Sequence, residues 1–100
     1  MPEGDYPRLV FEHGFDERAQ FEASGGGYLG GVHVALADGT SRAVVFYDPV
    51  RLGQDLEYEA QIGRMCIAEH GMIVVPEVTL ANMQTAVIAL AREGWFDTRW

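Results

Sequence analysis

Apolar and polar positions along this chain alternate more often than they recur at helical spacing, and the first half reads mainly as strands. Arg8-Leu9-Val10-Phe11-Glu12 is a short β-rich run closed by Gly14. From Phe15 to Ser24 the odd positions are Phe15, Glu17, Ala19, Phe21 and Ala23, and the even positions are all polar. That period of two predicts a half-buried strand, whereas a helix scatters Phe15 and Phe21 to different faces. Gly25-Gly26-Gly27 breaks the chain. Tyr28–Ala37 and Arg42–Tyr47 then flank Asp38-Gly39, the signature of a hairpin with a two-residue type I′ turn. Such a turn sets Val34 opposite Ala43 and Val32 opposite Val45. Leu36 and Tyr47 share that face, taken as the buried one, while His33, Ala35, Val44 and Phe46 fall on the other. Asp48-Pro49 ends the strand, because proline lacks a donor and restricts the residue before it.

The next stretch supports two readings. Leu52, Leu56 and Ala60 recur at four-residue spacing, as on a helix. Leu56, Tyr58, Ala60 and Ile62 also alternate with Asp55, Glu57, Glu59 and Gln61, between Gly53 and Gly63. The preferred expectation is a helical turn over Pro49–Gly53 followed by a strand to Ile62. Met72-Ile73-Val74-Val75 is a continuous apolar run, expected in the middle of a sheet and closed by Pro76. Thr79 is placed to cap a helix starting at Leu80, with Leu80, Met83, Val87 and Leu90 on one face. Arg92 suits its last turn, and Gly94 provides a left-handed stop. Trp95 and Phe96 are then placed to fold back on the core. These elements predict a single α+β domain over residues 1–100, with residues 1–6 a loosely ordered leader. Its sheet is mainly antiparallel, of about five to six short strands, with a C-terminal helix packed on one face.

Charge narrows the classes of function. The sequence carries 15 Asp and Glu against 7 basic side chains, a net charge of −8, and every basic side chain is arginine. A chain without lysine has neither a Schiff-base lysine nor a P-loop lysine. A net negative surface repels phosphate backbones and anionic lipid, so neither nucleic acid nor membrane is an expected partner, and basic proteins are favoured. The single cysteine, Cys66, has no internal disulfide partner, and the acidic start does not resemble a secretion signal. A cytoplasmic protein is the expectation.

Motifs for chemistry are sparse. Gly25, Gly27 and Gly30 match G-x-G-x-x-G, yet they lead into a strand pattern where a dinucleotide site needs a helix N-terminus. Gly30 and Gly31 equally suit a bend or bulge. Cys66 and His70, with Glu69 between them, would share a helix face, but no paired spacing completes a zinc site. Ser24 and Ser41 lack triad partners. No cofactor, metal or catalytic set is therefore expected.

Asp55, Glu57 and Glu59 are the most suggestive cluster. On a strand all three project from one face, roughly 7 Å apart. They offer a docking stripe to a basic protein, with Asp48 nearby, or alternatively a solvated face that blocks edge-to-edge pairing. Asp48, Arg51 and Asp55 also suit a surface ion-pair network beside the Pro49 turn. Trp95, Phe96 and Trp100 form a candidate apolar patch for a homodimer or partner. The leading expectation is a non-catalytic module, an inhibitor or immunity-type partner, that docks a basic protein. One alternative is a small homodimeric enzyme or ligand-binding protein with His33 or His70 as acid/base, favoured by a concave site holding a histidine beside a carboxylate. Another is a structural homo-oligomer subunit.

Overall fold

The computed structural model describes residues 6–97. Four strands, β1 (Arg8–Phe11), β2 (Tyr28–Ala35), β3 (Ser41–Tyr47) and β4 (Met72–Val74), form one sheet in the order β1-β2-β3-β4. Three helices, α1 (Glu17–Gly26), α2 (Pro49–Gln61) and α3 (Leu80–Arg92), accompany it. The α+β class and the C-terminal helix stand, but the sheet has four strands rather than five to six. It is also mixed, because β4 runs parallel to β3 while β1, β2 and β3 form an antiparallel meander. The Met72–Val75 run thus lies at an edge, not in the middle. The leader falls outside the described residues, apart from Tyr6.

Both missing strands are helices. α1 starts where the Asp16 carboxylate accepts the Ala19 N–H at 2.8 Å. It stops at Gly27 (φ 69°), whose N–H bonds the Ala23 carbonyl at 2.9 Å. Capping at both ends decides the conformation here over a short alternation. Only Ala23 of α1 is buried, and Phe21, expected in a core face, is 80% exposed.

The β2–β3 hairpin forms, with a different turn. Leu36 N–H bonds the Thr40 carbonyl at 2.9 Å, Gly39 N–H bonds the Leu36 carbonyl at 3.1 Å, and Gly39 has φ 89°. The loop is therefore Ala37-Asp38-Gly39, a tight turn followed by a left-handed glycine, not a two-residue turn. Asp38 Oδ1 accepts from both the backbone N–H and the hydroxyl of Thr40, which holds its carboxyl below the usual carboxylate range. One extra loop residue moves the register by one, so Val34 faces Arg42 and Val32 faces Val44. The inward set of β3 becomes Val44 and Phe46 rather than Ala43 and Val45. A second irregularity between Leu29 and Val32 places Gly30 and Gly31 (φ 67°) in a bulge, as their spacing allowed.

The core lies between one sheet face and helices α1 and α3. Val32, Val34, Val44, Phe46 and Ile73 from the sheet meet Ala23, Met83 and Val87. α3 follows its sequence signals closely. Thr79 Oγ1 accepts the Asn82 N–H at 3.2 Å, Met83 and Val87 are fully buried, and Gly94 has φ 76°. Leu80, expected on the same face, is 44% exposed. On the opposite sheet face Val45 and Tyr47 are also buried, and Tyr28 packs edge-on against Tyr47. Among the described residues no helix is long and apolar enough to cross a membrane.

Candidate functional site

The segment expected to be extended, Gly53–Ile62, is coiled as most of α2. Asp48 is its N-cap and accepts the Arg51 N–H at 2.7 Å, with Pro49 at the first helical position. Arg51 binds Asp55 at 3.0 Å, reaches the Gly26 carbonyl at 3.2 Å and lies 5.2 Å from the Tyr28 ring centre. These contacts fasten the first half of α2 to the end of α1 and to the sheet. Of the Asp48–Arg51–Asp55 ion-pair network that the sequence suggested, only Arg51–Asp55 is an ion pair; Asp48 bonds the Arg51 backbone instead.

Coiling dissolves the three-acid stripe. At about 100° per residue, Asp55 and Glu59 share a face and Glu57 points roughly 200° away from Asp55. Glu57 is exposed on its own side, Asp48 is occupied as a cap, and Asp55 is paired with Arg51. What the fold brings together instead is Asp55 and Glu59 with Glu69, across a cleft of about 250 Å³. Tyr47, Tyr58 and Arg64 also line it. The sequence placed Glu69 only between Cys66 and His70 on an expected helix face, and no local signal marked its approach to α2; it lies in an irregular loop.

Tyr47 forms the floor of this cleft and donates its hydroxyl to Glu69 Oε1 at 2.6 Å. Burial, then the bond to Glu69 and its negative charge, push the Tyr47 phenol well above its ordinary range. Because the folded value is raised, the fold favours the protonated phenol. That contribution is whole below the ordinary tyrosine pKa of 10.0 and is lost as pH rises beyond it. Urea unfolding should therefore show stability declining above about pH 10 in the native chain, and declining less in Tyr47→Phe. Equal slopes in the two would show that Tyr47 carries no such linkage.

α2 itself contributes no buried residue. Tyr58, Ile62 and Met65, at its C-terminal end and in the loop beyond, are 62%, 63% and 70% exposed. Met65 holds a left-handed backbone (φ 62°), uncommon outside glycine.

The other candidates separate in space. Cys66 and His70 lie in the loop, not on a helix, and both are exposed. His33 meets Glu12 at 3.3 Å on the surface, beside a crevice of about 160 Å³ lined by Glu12 and His13. Phe96 is 2% exposed within the core, with Trp95 packed edge-on against it. The folding-back of these two rings holds, and it removes Phe96 from any surface patch; Trp100 lies outside the described residues. Gly25 and Gly26 end α1, and Gly27 leads directly into β2, so no helix N-terminus follows the glycine motif. Among the described residues no group of three or more His, Cys, Asp or Glu side chains is placed to hold a metal ion.

Compared with known proteins, the chain matches no family model, and no curated protein or solved structure matches it significantly.

Proposed function

We propose that this chain is a non-catalytic interaction module, of the inhibitor or immunity type, that docks a basic protein at the cleft between α2 and the 63–70 loop. The observation that carries this reading is the meeting of Asp55, Glu59 and Glu69 on one concave surface of a chain with net charge −8. Exposed Tyr58, Ile62 and Met65 add apolar contact area beside the charges. Complementary charge speeds encounter and selects against acidic partners.

The test is capture by the immobilised chain at about 50 mM and 500 mM salt, run in parallel with a Glu59→Gln/Glu69→Gln variant. Exposed charges are screened within about 8–10 Å near physiological ionic strength, so a cleft-bound basic protein should be retained by the native chain at low salt only. The double variant should lose it. Retention that ignores salt, or that survives both substitutions, rejects the reading.

A second reading, a small ligand-binding protein or enzyme, is favoured by the contact of His33 with Glu12 beside the 160 Å³ crevice. It differs from the first in needing His33 and not the α2 cleft.

A further inference from the structure

We infer that α2 packs against α2 of a second copy of this chain, along the outward row Val50, Gln54, Tyr58 and Ile62. α2 is 13 residues long and none of them is buried. A helix of that length is marginal in water without tertiary cover. Its inner side is tied down through Arg51 and Asp55, whereas Val50, Tyr58 and Ile62 are 68%, 62% and 63% exposed, and Gln54 is exposed with them.

The order of residues in the row matches a second copy of itself. Four-residue spacing makes the row a continuous ridge, about 18 Å long. It reads apolar, amide, phenol, apolar. Laid beside itself in the opposite direction, it sets Val50 against Ile62 of the second copy and Gln54 against Tyr58 of the second copy, and the two-fold axis repeats both contacts. Apolar ends then meet apolar ends, and each amide meets a hydroxyl that it can hydrogen-bond. Ridges of this spacing interdigitate with the helices crossing at about −50°, the commonest packing class.

Charge points the same way. The row carries no charged side chain, in a chain of net charge −8. Two such copies repel over most of their surfaces, and an uncharged strip is where they can touch. A basic protein gains no ion pair from it. Gly53 adds an independent sign, on the row that adjoins this one. Glycine inside a helix weakens it, and a Cβ at Gly53 would meet nothing of this chain within 4 Å. The chain's own packing therefore does not call for glycine there. A second helix does, because its Tyr58 settles over Gly53 in the groove beside Gln54. One helix pair buries less than the roughly 1,200–2,000 Å² of stable interfaces, so the association is weak and reversible. It covers Tyr58 and Ile62, and a basic protein that reaches the cleft displaces the second copy.

The experiment is sedimentation equilibrium of the full chain from about 20 μM to 1 mM, where a weak dimer is revealed by mass action. Runs at about 50 mM and 500 mM salt should show tighter association at the higher salt, because screening relieves the repulsion between copies. Tyr58→Glu and Gly53→Leu should each weaken the dimer at least tenfold, while Val10→Glu, on the exposed sheet face, changes it less than twofold. Gly53→Leu should not lower the urea midpoint of the dilute chain, since leucine is the better helix former and has open space there. A monomer mass throughout, association that weakens with salt, or a dimer that survives both α2 substitutions would each overturn the inference. Salt-sensitive capture of a basic protein by a chain that stays monomeric would sink this inference alone and leave the docking reading standing.

Discussion

Phe46→Ala lowers the free energy of unfolding by about 3–5 kcal/mol, read from the shift of the urea midpoint. Phe46 is 0% exposed and sits in β3 between Leu29 on β2 and Ile73 on β4. Its ring therefore meets side chains across three of the four strands and beneath the packed helices. Truncation removes that apolar contact and leaves a cavity that close-packed neighbours fill only in part. The matched control is Phe21→Ala, where the ring is 80% exposed and the change should stay within about 0.5 kcal/mol. The pair of measurements tests both departures from the alternation pattern. A hairpin with the two-residue turn would put Phe46 outside the main core face, and a strand over residues 15–24 would bury Phe21. Similar losses at the two sites would contradict the structure.

Gly71→Ala is expected to cost about 3 kcal/mol or more, and to disturb the cleft as it does so. Gly71 has φ 78°, where a non-glycine residue is strained, and a Cβ there would run into the Ala43 carbonyl and lie 3.2 Å from the Val44 Cα. Both obstacles are backbone in the neighbouring strand, so no side-chain rotation relieves them. The Gly71 carbonyl also accepts the Val45 N–H at 3.0 Å at the start of the parallel pairing. Any retreat loosens β4 from β3 and carries Glu69, two residues earlier, with it. Gly63→Ala is the comparison, since Gly63 has φ 90° but open space around it, and should cost only the backbone strain of about 1–2 kcal/mol. If the two variants unfold at the same denaturant concentration, the close approach at Gly71 is not real.

The elements marked by strong local chemistry were legible in the sequence. Thr79, Arg92 and Gly94 bound α3 because capping and left-handed stops are settled within a few residues. Gly30 and Gly31 signalled the bulge, and Asp38-Gly39 the hairpin, though not that Ala37 joins the loop. The errors came from weighing alternation above termini. Asp16 before α1, and Asp48-Pro49 before α2, are N-terminal helix signals as clear as Thr79. Against them stood five odd-even pairs over residues 15–24 and four over residues 55–62, alternations that a short amphipathic helix imitates when its apolar residues are few. α2 was the harder case because its helical spacing of Leu52, Leu56 and Ala60 competes with an equally regular alternation, and none of its residues is buried.

The candidate site was legible only in part. Asp55 and Glu59 were chosen for lying on one face, and they do, though by helical spacing of four and without Glu57. Glu69 escaped because its approach to α2 is a consequence of β4 pairing with β3, a contact between distant segments that no local pattern records.

That dependence on distant pairing gives the cleft its own stability, separate from that of the sheet. The antiparallel meander of β1, β2 and β3 closes through a short hairpin turn and one helical connection, whereas β4 attaches at an edge through only three residues. Edge elements with few partners detach at lower free energy than the body they rest on. Detachment of β4 parts the Glu69 wall from the α2 wall while the meander persists, so the proposed docking surface can be lost without unfolding of the chain. A guest clasped between the two walls opposes that opening and would be seen as slower amide hydrogen exchange at Met72–Val74, with Val32–Val34 little changed.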